Sequence, residues 1–299
     1  MKKIIFIILG LLVKVKILTP IRIAKLRFLY FCRRWPDFQH PRDINEKINW
    51  MKFYGDTSQW PLLADKYKVR TYVKECGFED ILVPLLGKWN TVDEVDWDSL
   101  PERFVMKCNN GSGDVLVCED KSKLDIEKTK RHFRKHLAKK LGINAAEPHY
   151  DKIKPCVIAE EMLDISTQPC GSVSMVDYKI WVFGGKPQYV WCAWNRKQYH
   201  ANVALYDLDW NFRPEYMVWT SHYVKPTVQL PKPVCFDRMM EIASKLAGKQ
   251  PAVRIDLYVC GDKIYFGEMT MTSQAGFMDN FTDEFLNIMG DMTKLPTDK

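Results

Sequence analysis

The sequence predicts an α+β fold, because hairpin-like stretches alternate with separate amphipathic helices along its 299 residues. Residues 103–118, 177–193 and 253–272 each carry two short apolar or alternating runs around a glycine-bearing turn. Residues 125–141 and 236–247 repeat apolar side chains at helical spacing and stop at Gly142 and Gly248. Neither the GxxxxGK[ST] order nor a dinucleotide-binding glycine fingerprint appears.

Composition narrows the partners. A hydrophobic fraction of 46% with 27% charged residues is ordinary for a globular chain, and a formal charge of +7 suits anionic small molecules, acidic glycans or an anionic membrane surface. Nucleic acid is not expected, since no aromatic-interleaved RNA motif or zinc-finger spacing is present. The nine cysteines are scattered, with no CxxC pair, which points to reduced thiols in a cytoplasmic protein rather than to disulfides or zinc.

Residues 1–40 form a basic, apolar N-terminal segment and residues 41–299 the globular part. The apolar run 4–13 is shorter than the roughly 20 residues a membrane-spanning helix needs. It has the charged start and apolar centre of a signal peptide, yet no small-x-small cleavage site follows. Lys14, Lys16, Arg22, Lys25, Arg27, Arg33 and Arg34 come instead, interleaved with Ile, Leu and Phe. The preferred reading is peripheral contact with the cytoplasmic face of a membrane through residues 1–34; the rival is an ordinary packed helix, and export ranks below both.

Residues 60–76 read as one helix, with Pro61 near its start and Gly77 past its end, and a basic face at 64–70 taken as solvated. In residues 103–118, a strand ending at Lys107 leads into Gly111-Ser112-Gly113, and a second strand follows at 115–118. Such a loop lets backbone amides approach an anion while Lys107 adds a point charge; a plain hairpin is the competing reading. The helix at 125–141 turns Lys128, Lys130, Arg131, Arg134, Lys135, Lys139 and Lys140 outward, as a solvated face. Residues 157–163 form a buried strand running into Glu160 and Glu161. Strands 178–183 and 188–193 then flank Gly184-Gly185-Lys186-Pro187, with Asp177 and Lys179 at their entrance. Residues 199–231 look irregular and aromatic, as a substrate-covering loop would.

The last hairpin carries the densest chemistry. Arg254, Asp256 and Tyr258 share one face of its first strand, and Phe266, Glu268, Thr270 and Thr272 lie together on the second. Mid-strand carboxylates are costly to bury without a partner. A two-residue turn at Gly261-Asp262 sends Glu268 to the opposite face from Asp256. An odd loop or a bulge sets the two side by side, as a site for a divalent cation and an anionic ligand requires; a wet edge hairpin is the alternative.

The succession of these motifs resembles the ATP-grasp superfamily and, more narrowly, the TupA-like ATP-grasp family associated with teichuronopeptide and other surface-polymer biosynthesis. The hallmarks are Asn45-Glu46-Lys47-Ile48-Asn49-Trp50, Leu63-Ala64-Asp65-Lys66-Tyr67, Pro84-Leu85-Leu86-Gly87, Leu100-Pro101 and Lys107-Cys108-Asn109-Asn110-Gly111-Ser112-Gly113-Asp114. Ala159-Glu160-Glu161, Asp177-Tyr178-Lys179, Val253-Arg254-Ile255-Asp256-Leu257-Tyr258 and Gly267-Glu268 complete them. They cover about residues 41–296.

The resemblance implies an ATP-grasp fold of two α+β lobes with ATP held between antiparallel sheets: a nucleotide-lid lobe at about 100–158 and a metal-site lobe at about 159–299. It implies phosphate contacts from Lys66 and Lys107 and from the Gly111, Ser112 and Gly113 loop. The adenine edge would meet backbone near Glu160 to Leu163. Glu160 or Glu161, with Asp177, would reach adenine or ribose, and Lys179 would add phosphate charge. Mg²⁺ would bind Asp256 and Glu268, with Thr270 standing where many relatives carry asparagine. Arg254 and Lys107 would serve catalysis. Asn110 and Ser273-Gln274-Ala275-Gly276 depart from the histidine and the proline common in relatives.

The implied reaction is ATP- and Mg²⁺-dependent joining of a carboxylate to an amine, such as an amino acid, through an acyl phosphate, with a carboxylate-bearing glycan or precursor as partner. Such chemistry needs positioning and charge neutralisation more than a protein nucleophile. The alternatives are a glycosyltransferase, for which Asp207-Leu208-Asp209 is a formal metal motif without the strand pattern around it, and a nucleotide-binding pseudo-ligase.

Overall fold

A computed structural model describes residues 19–111, 113–139, 142, 145–197 and 200–296. Its elements run α1 Pro20–Cys32, α2 Ile44–Tyr54, α3 Trp60–Leu63, α4 Val69–Glu75, β1 Leu85–Trp89, β2 Phe104–Cys108, β3 Leu116–Cys118, α5 Ile126–Leu137 and β4 Val157–Glu161. There follow β5 Asp177–Phe183, β6 Lys186–Trp194, β7 Ala201–Tyr206, β8 Tyr223–Val224, α6 Phe236–Ala247, β9 Ala252–Cys260, β10 Lys263–Thr270 and α7 Asp283–Met292. The chain divides into two compact units, Ser58–Asp164 and Met1–Thr57 with Ile165–Lys299.

The unit Ser58–Asp164 is built on an antiparallel sheet of order β1-β4-β2-β3. Phe104, Met106 and Cys108 alternate inward along β2 and join Val157 and Ala159 of β4 in a core that α5 closes with Phe133. Alternation therefore leaves Val105 and Lys107 on the other face of β2. Helix α5 starts where the Asp125 carboxylate accepts from Lys128 N. It ends at Leu137 with Ala138 as its cap, earlier than the sequence predicts; residues 140 and 141 of the expected helix lie outside the described residues. The single helix expected over 60–76 is instead two, α3 and α4. The Asp65 side chain accepts from Tyr67 N and Lys68 N while Lys66 N donates to Asn109 O, so the backbone leaves the helical ladder there.

The second unit holds a six-stranded sheet of order β10-β9-β5-β6-β7-β8, antiparallel except for the short β7–β8 pair. Met239, Ile242, Ala243 and Leu246 of α6 are buried as their spacing predicts, and α6 packs on β9, β5 and β6. Residues 199–231 are not the irregular loop expected: β7 is paired along its length with β6, and the stretch adds β8. Tyr206 and Tyr216 of this stretch are buried, and the half-buried Trp210 stacks on Tyr206 at 4.4 Å. Helix α1 buries Ile23, Ala24 and Phe28, the last edge-on to Phe38 and Phe277. Over its described part, the N-terminal segment is thus a packed helix; residues 1–18 lie outside the described residues. Among the described residues, no helix is long and apolar enough to cross a membrane. All nine cysteines are free thiols.

Candidate active site

The register of the last hairpin is decided by one bulge. From Cys260↔Lys263 to Leu257↔Phe266 the strands pair evenly, then Gly267 is skipped and Asp256 pairs with Glu268. A Cβ at Gly267 would stand 2.9 Å from Asp256 O and 3.1 Å from Tyr258 Cε2, so the close approach needs glycine. The bulge puts Glu268 on the face of Asp256 and leaves Phe266 facing the core with Leu257. On the other side of β9, Asp256 pairs with Lys179 and Arg254 with Trp181. Asp177, Lys179, Arg254, Asp256, Glu268 and Thr270 therefore share one sheet face.

These side chains form one ion-pair network. Asp256 is 1% exposed. Arg254 Nε lies 2.7 Å from its Oδ1 and Nη2 2.8 Å from its Oδ2, a bidentate grip. Arg254 Nη2 also reaches Glu268 Oε1 at 3.1 Å and Thr270 Oγ1 at 3.2 Å, and Nη1 reaches Ser273 Oγ at 3.1 Å. Thr270 Oγ1 donates to Glu268 Oε1 at 2.8 Å. Lys179 Nζ pairs with Asp256 Oδ2 and, at 2.8 Å, with Asp177 Oδ2, which Arg196 Nη2 also meets at 2.7 Å. Burial works against the Arg254 charge, but Asp256, then Glu268, outweigh it and hold the guanidinium well above its usual range. Burial raises the Asp256 carboxyl against the opposing pull of Arg254 and Lys179. The Asp177 charge and then burial push the Tyr258 phenol well up, so it stays neutral.

A second group lies in the unit Ser58–Asp164. Lys107 Nζ meets Glu160 Oε2 at 2.6 Å, and Arg70 Nη1 meets Glu160 Oε1 at 3.1 Å while its Nη2 donates to Val83 O at 2.8 Å. Lys66 Nζ donates to Gly111 O at 2.6 Å. The loop after β2 is pinned at both ends: Asp114 Oδ2 accepts from Cys108 N at 2.7 Å, and the Asn109 side chain bonds Cys156 N and Lys154 O. Gly113 adopts φ +76°, a conformation that favours glycine. Ser112 lies outside the described residues. Glu161 is exposed and Leu163 half-buried at the end of β4, apart from the Lys107–Glu160 pair.

The residues expected to divide between nucleotide and metal are grouped differently in the fold. Asp177 and Lys179 belong to the network of Asp256, Glu268 and Thr270, whereas Lys66, Lys107, Gly111, Gly113 and Glu160 gather in the other unit. Arg70, Arg196 and Ser273 were not expected in either group. Arg70 falls in the stretch read as a solvated basic face, yet its side chain is only 14% exposed. A basic residue 90 positions from the carboxylate it meets does not reveal its partner. Asp207, of the formal DxD motif, accepts from Asn211 N and Asn211 Nδ2 and pairs with Arg213, so it closes a turn.

The donors beside β9 are two carboxylates and a hydroxyl. Among the described residues there is no group of three or more His, Cys, Asp or Glu arranged to hold a metal ion. That set fits Mg²⁺, which takes one or two carboxylates and completes its shell with phosphate oxygens and water, and it fits zinc poorly.

No curated protein matches the chain. Solved structures that resemble it include D-alanine–D-alanine ligase from Bacillus anthracis complexed with ATP, at 14% identity over 78% of this chain and 63% of that one, with a TM-score of 0.42. The D-alanine–D-alanine ligase from Helicobacter pylori has 15% identity over 85% of this chain and 70% of that one, TM-score 0.41. The L-amino acid ligase from Bacillus licheniformis has 12% identity, with 87% and 56% covered, TM-score 0.47. The chain thus spans less than two thirds of the length of the first and third of these. The TupA-like ATPgrasp family model matches residues 46–294, most of the sequence, and the chain belongs to that family.

Proposed function

We propose that the protein is an ATP- and Mg²⁺-dependent carboxylate–amine ligase acting through an acyl phosphate. The observation that carries this reading is the bulge-set pairing of Asp256 with Glu268 around the Arg254 guanidinium. Lys66, Lys107 and the loop of Gly111, Ser112 and Gly113 take the phosphates; Glu160, Glu161 and Leu163 lie along the adenine. Asp177 and Lys179 complete the charge balance beside the metal ligands Asp256, Glu268 and Thr270. Bound Mg²⁺ supplies neutralisation of the phosphate charge.

Arg254 is held to receive charge on the moving phosphoryl group, since its bonds to Asp256, Glu268, Thr270 and Ser273 fix the guanidinium. The amine then attacks the carbonyl carbon of the acyl phosphate, the C–N bond forms as the C–O bond to phosphate breaks, inorganic phosphate leaves, and no protein nucleophile is required. The family's association points to cell-surface polysaccharide biosynthesis, with a carboxylate-bearing glycan or its precursor and an amine such as an amino acid as substrates. Free thiols at every cysteine and the need for ATP favour the cytoplasmic side. Leu26 and Leu29, 37% and 42% exposed, are described side chains with which residues 1–34 would touch a bilayer.

The test is ADP release from Mg·ATP across pairs of uronic-acid carboxylates and amino acids. Turnover that needs both substrates is expected in the wild type and lost in Asp256→Asn. Unchanged turnover in that variant sinks the assignment. Sugar transfer from a UDP-sugar with no ADP formed would favour the glycosyltransferase alternative.

A further inference from the structure

Helix α2 turns three polar side chains toward one loop, and each ends on that loop's main chain. Asn45 Nδ2 donates to Met278 O, and its Oδ1 accepts from Met278 N, both at 2.9 Å. Asn49 Nδ2 donates to Gly276 O at 2.9 Å, and Lys52 Nζ to Ala275 O at 2.7 Å. Positions 45, 49 and 52 fall on one helix face. Asn45 and Asn49 are fully buried and Lys52 is 4% exposed. A buried amide pair and ammonium are a costly way to pack a helix that leucine would pack as well.

The loop they hold follows a path that residues with a Cβ disfavour. Gln274, Ala275 and Gly276 are left-handed in succession, at φ +46°, +57° and +74°. At its start Ser273 Oγ accepts from Arg254 Nη1, the guanidinium nitrogen not held by Asp256, Glu268 or Thr270. The loop's far side is closed by Phe277, stacked on Phe31 at 6.1 Å with Lys52 Nζ 4.8 Å from its ring. A continuous set of contacts therefore runs from α2 through the loop to Arg254.

We infer that α2 is a positioning element for the charged sheet face: Asn45, Asn49 and Lys52 hold loop 273–278 on its left-handed path, and Ser273 thereby sets the orientation of the Arg254 guanidinium. The inference rests on the ligase reading for its turnover readout alone. Lys47 supplies an internal control. It leaves the same helix toward α7, donating to Gly290 O at 2.7 Å and Thr293 O at 2.9 Å.

The experiment compares Asn49→Ala, Gly276→Ala and Lys47→Met. A Cβ at Gly276 would stand 2.7 Å from Asn49 Nδ2 and 2.9 Å from Ile48 Cγ2, so Gly276→Ala wedges the loop from α2 without altering the helix. Both loop variants are expected to lower kcat for ADP release about 100-fold, as misplacement of a charge-stabilising group does. KM for ATP is expected to stay within about twofold. In ¹⁵N spectra of the ligand-free protein, the Arg254 Nε–H resonance should lose its protection, and amides of residues 273–278 should exchange faster. Lys47→Met should lower the melting temperature while sparing the resonance and kcat. An intact Arg254 resonance in both loop variants overturns the inference, as does a loss in Lys47→Met equal to theirs, which would mark general destabilisation. A wild type that releases no ADP with any substrate pair sinks the ligase reading, while the resonance and exchange measurements still decide the positioning role.

Discussion

Arg254 grips Asp256 with two nitrogens at once, 2.7 Å and 2.8 Å from the two carboxylate oxygens, and carries Glu268 on the same Nη2. The planar fork does what a point charge cannot: it bonds each oxygen of a buried carboxylate once and still spans to the next strand. Arg254→Lys keeps the charge and loses the fork. Its kcat for ADP release is expected to fall about 10²–10³-fold, the usual loss for one preorganised charge donor. Steady-state kinetics with ATP held saturating checks this, and a loss confined to KM would contradict it.

Gly267 tests the register. Its replacement by alanine forces a Cβ against Asp256 O at 2.9 Å, so either the bulge opens or the strand slips by one residue. A slip would send Glu268 to the core face. Gly267→Ala is expected to cost about 1–3 kcal/mol in urea unfolding, typical of overpacking, and to abolish turnover. A stable variant with normal turnover would show that the carboxylates need not be adjacent.

Glu160 is 6% exposed and holds Lys107 on one oxygen and Arg70 on the other. Arg70→Met leaves one buried partner in place of two and should lower stability by about 1–3 kcal/mol. Lys107→Met should do the same and also raise KM for ATP, because Lys107 is the phosphate contact in the proposed function. A double-mutant cycle with Glu160→Gln measures the coupling; additive losses would mean that the pair is not formed in solution.

Acid sensitivity should arise in part at Glu46. Burial raises its carboxyl, but the Arg42 amide at 2.8 Å, Arg34 and the Asp37 amide at 3.2 Å outweigh burial and set it below the usual value of 4.5. A depressed folded-state value contributes stability that is present above the unfolded-state value and lost as pH falls through the folded one. Wild-type stability should therefore drop as pH falls below the usual value of 4.5. Glu46→Gln should be less stable at neutral pH and flatter over that range. Parallel curves for the two proteins would refute the assignment.

How far the sequence reaches is seen by comparing Asp256 with Arg70. Two mid-strand carboxylates flanked by arginine and threonine are legible from alternation alone, because a strand's period of two assigns each residue a face. The core of α5 and α6 is legible for the same kind of reason, with the helical period in its place. The motif order carries the family, and residues 46–294 match it.

Other features depend on contacts that alternation does not encode. Asp65 breaks the helix expected over 60–76 because its side chain competes for Tyr67 and Lys68 amides. Residues 201–206 join a sheet because β6 offers an unpaired edge, although their own surroundings look like loop. Asn45 and Asn49 lie in a motif that sequence reading takes as a hallmark without a role, and Lys52 lies two residues beyond it. Only their burial against carbonyls more than 200 positions away shows what they hold.

By itself, the sequence determined which residues can carry charge on which strand face, since that follows from local geometry. Only the tertiary structure decided that Asp256 and Glu268 meet, through a bulge at Gly267, and which cations hold them. Register and ion pairing are set by backbone bonds and burial between strands distant in sequence, and no local period records them.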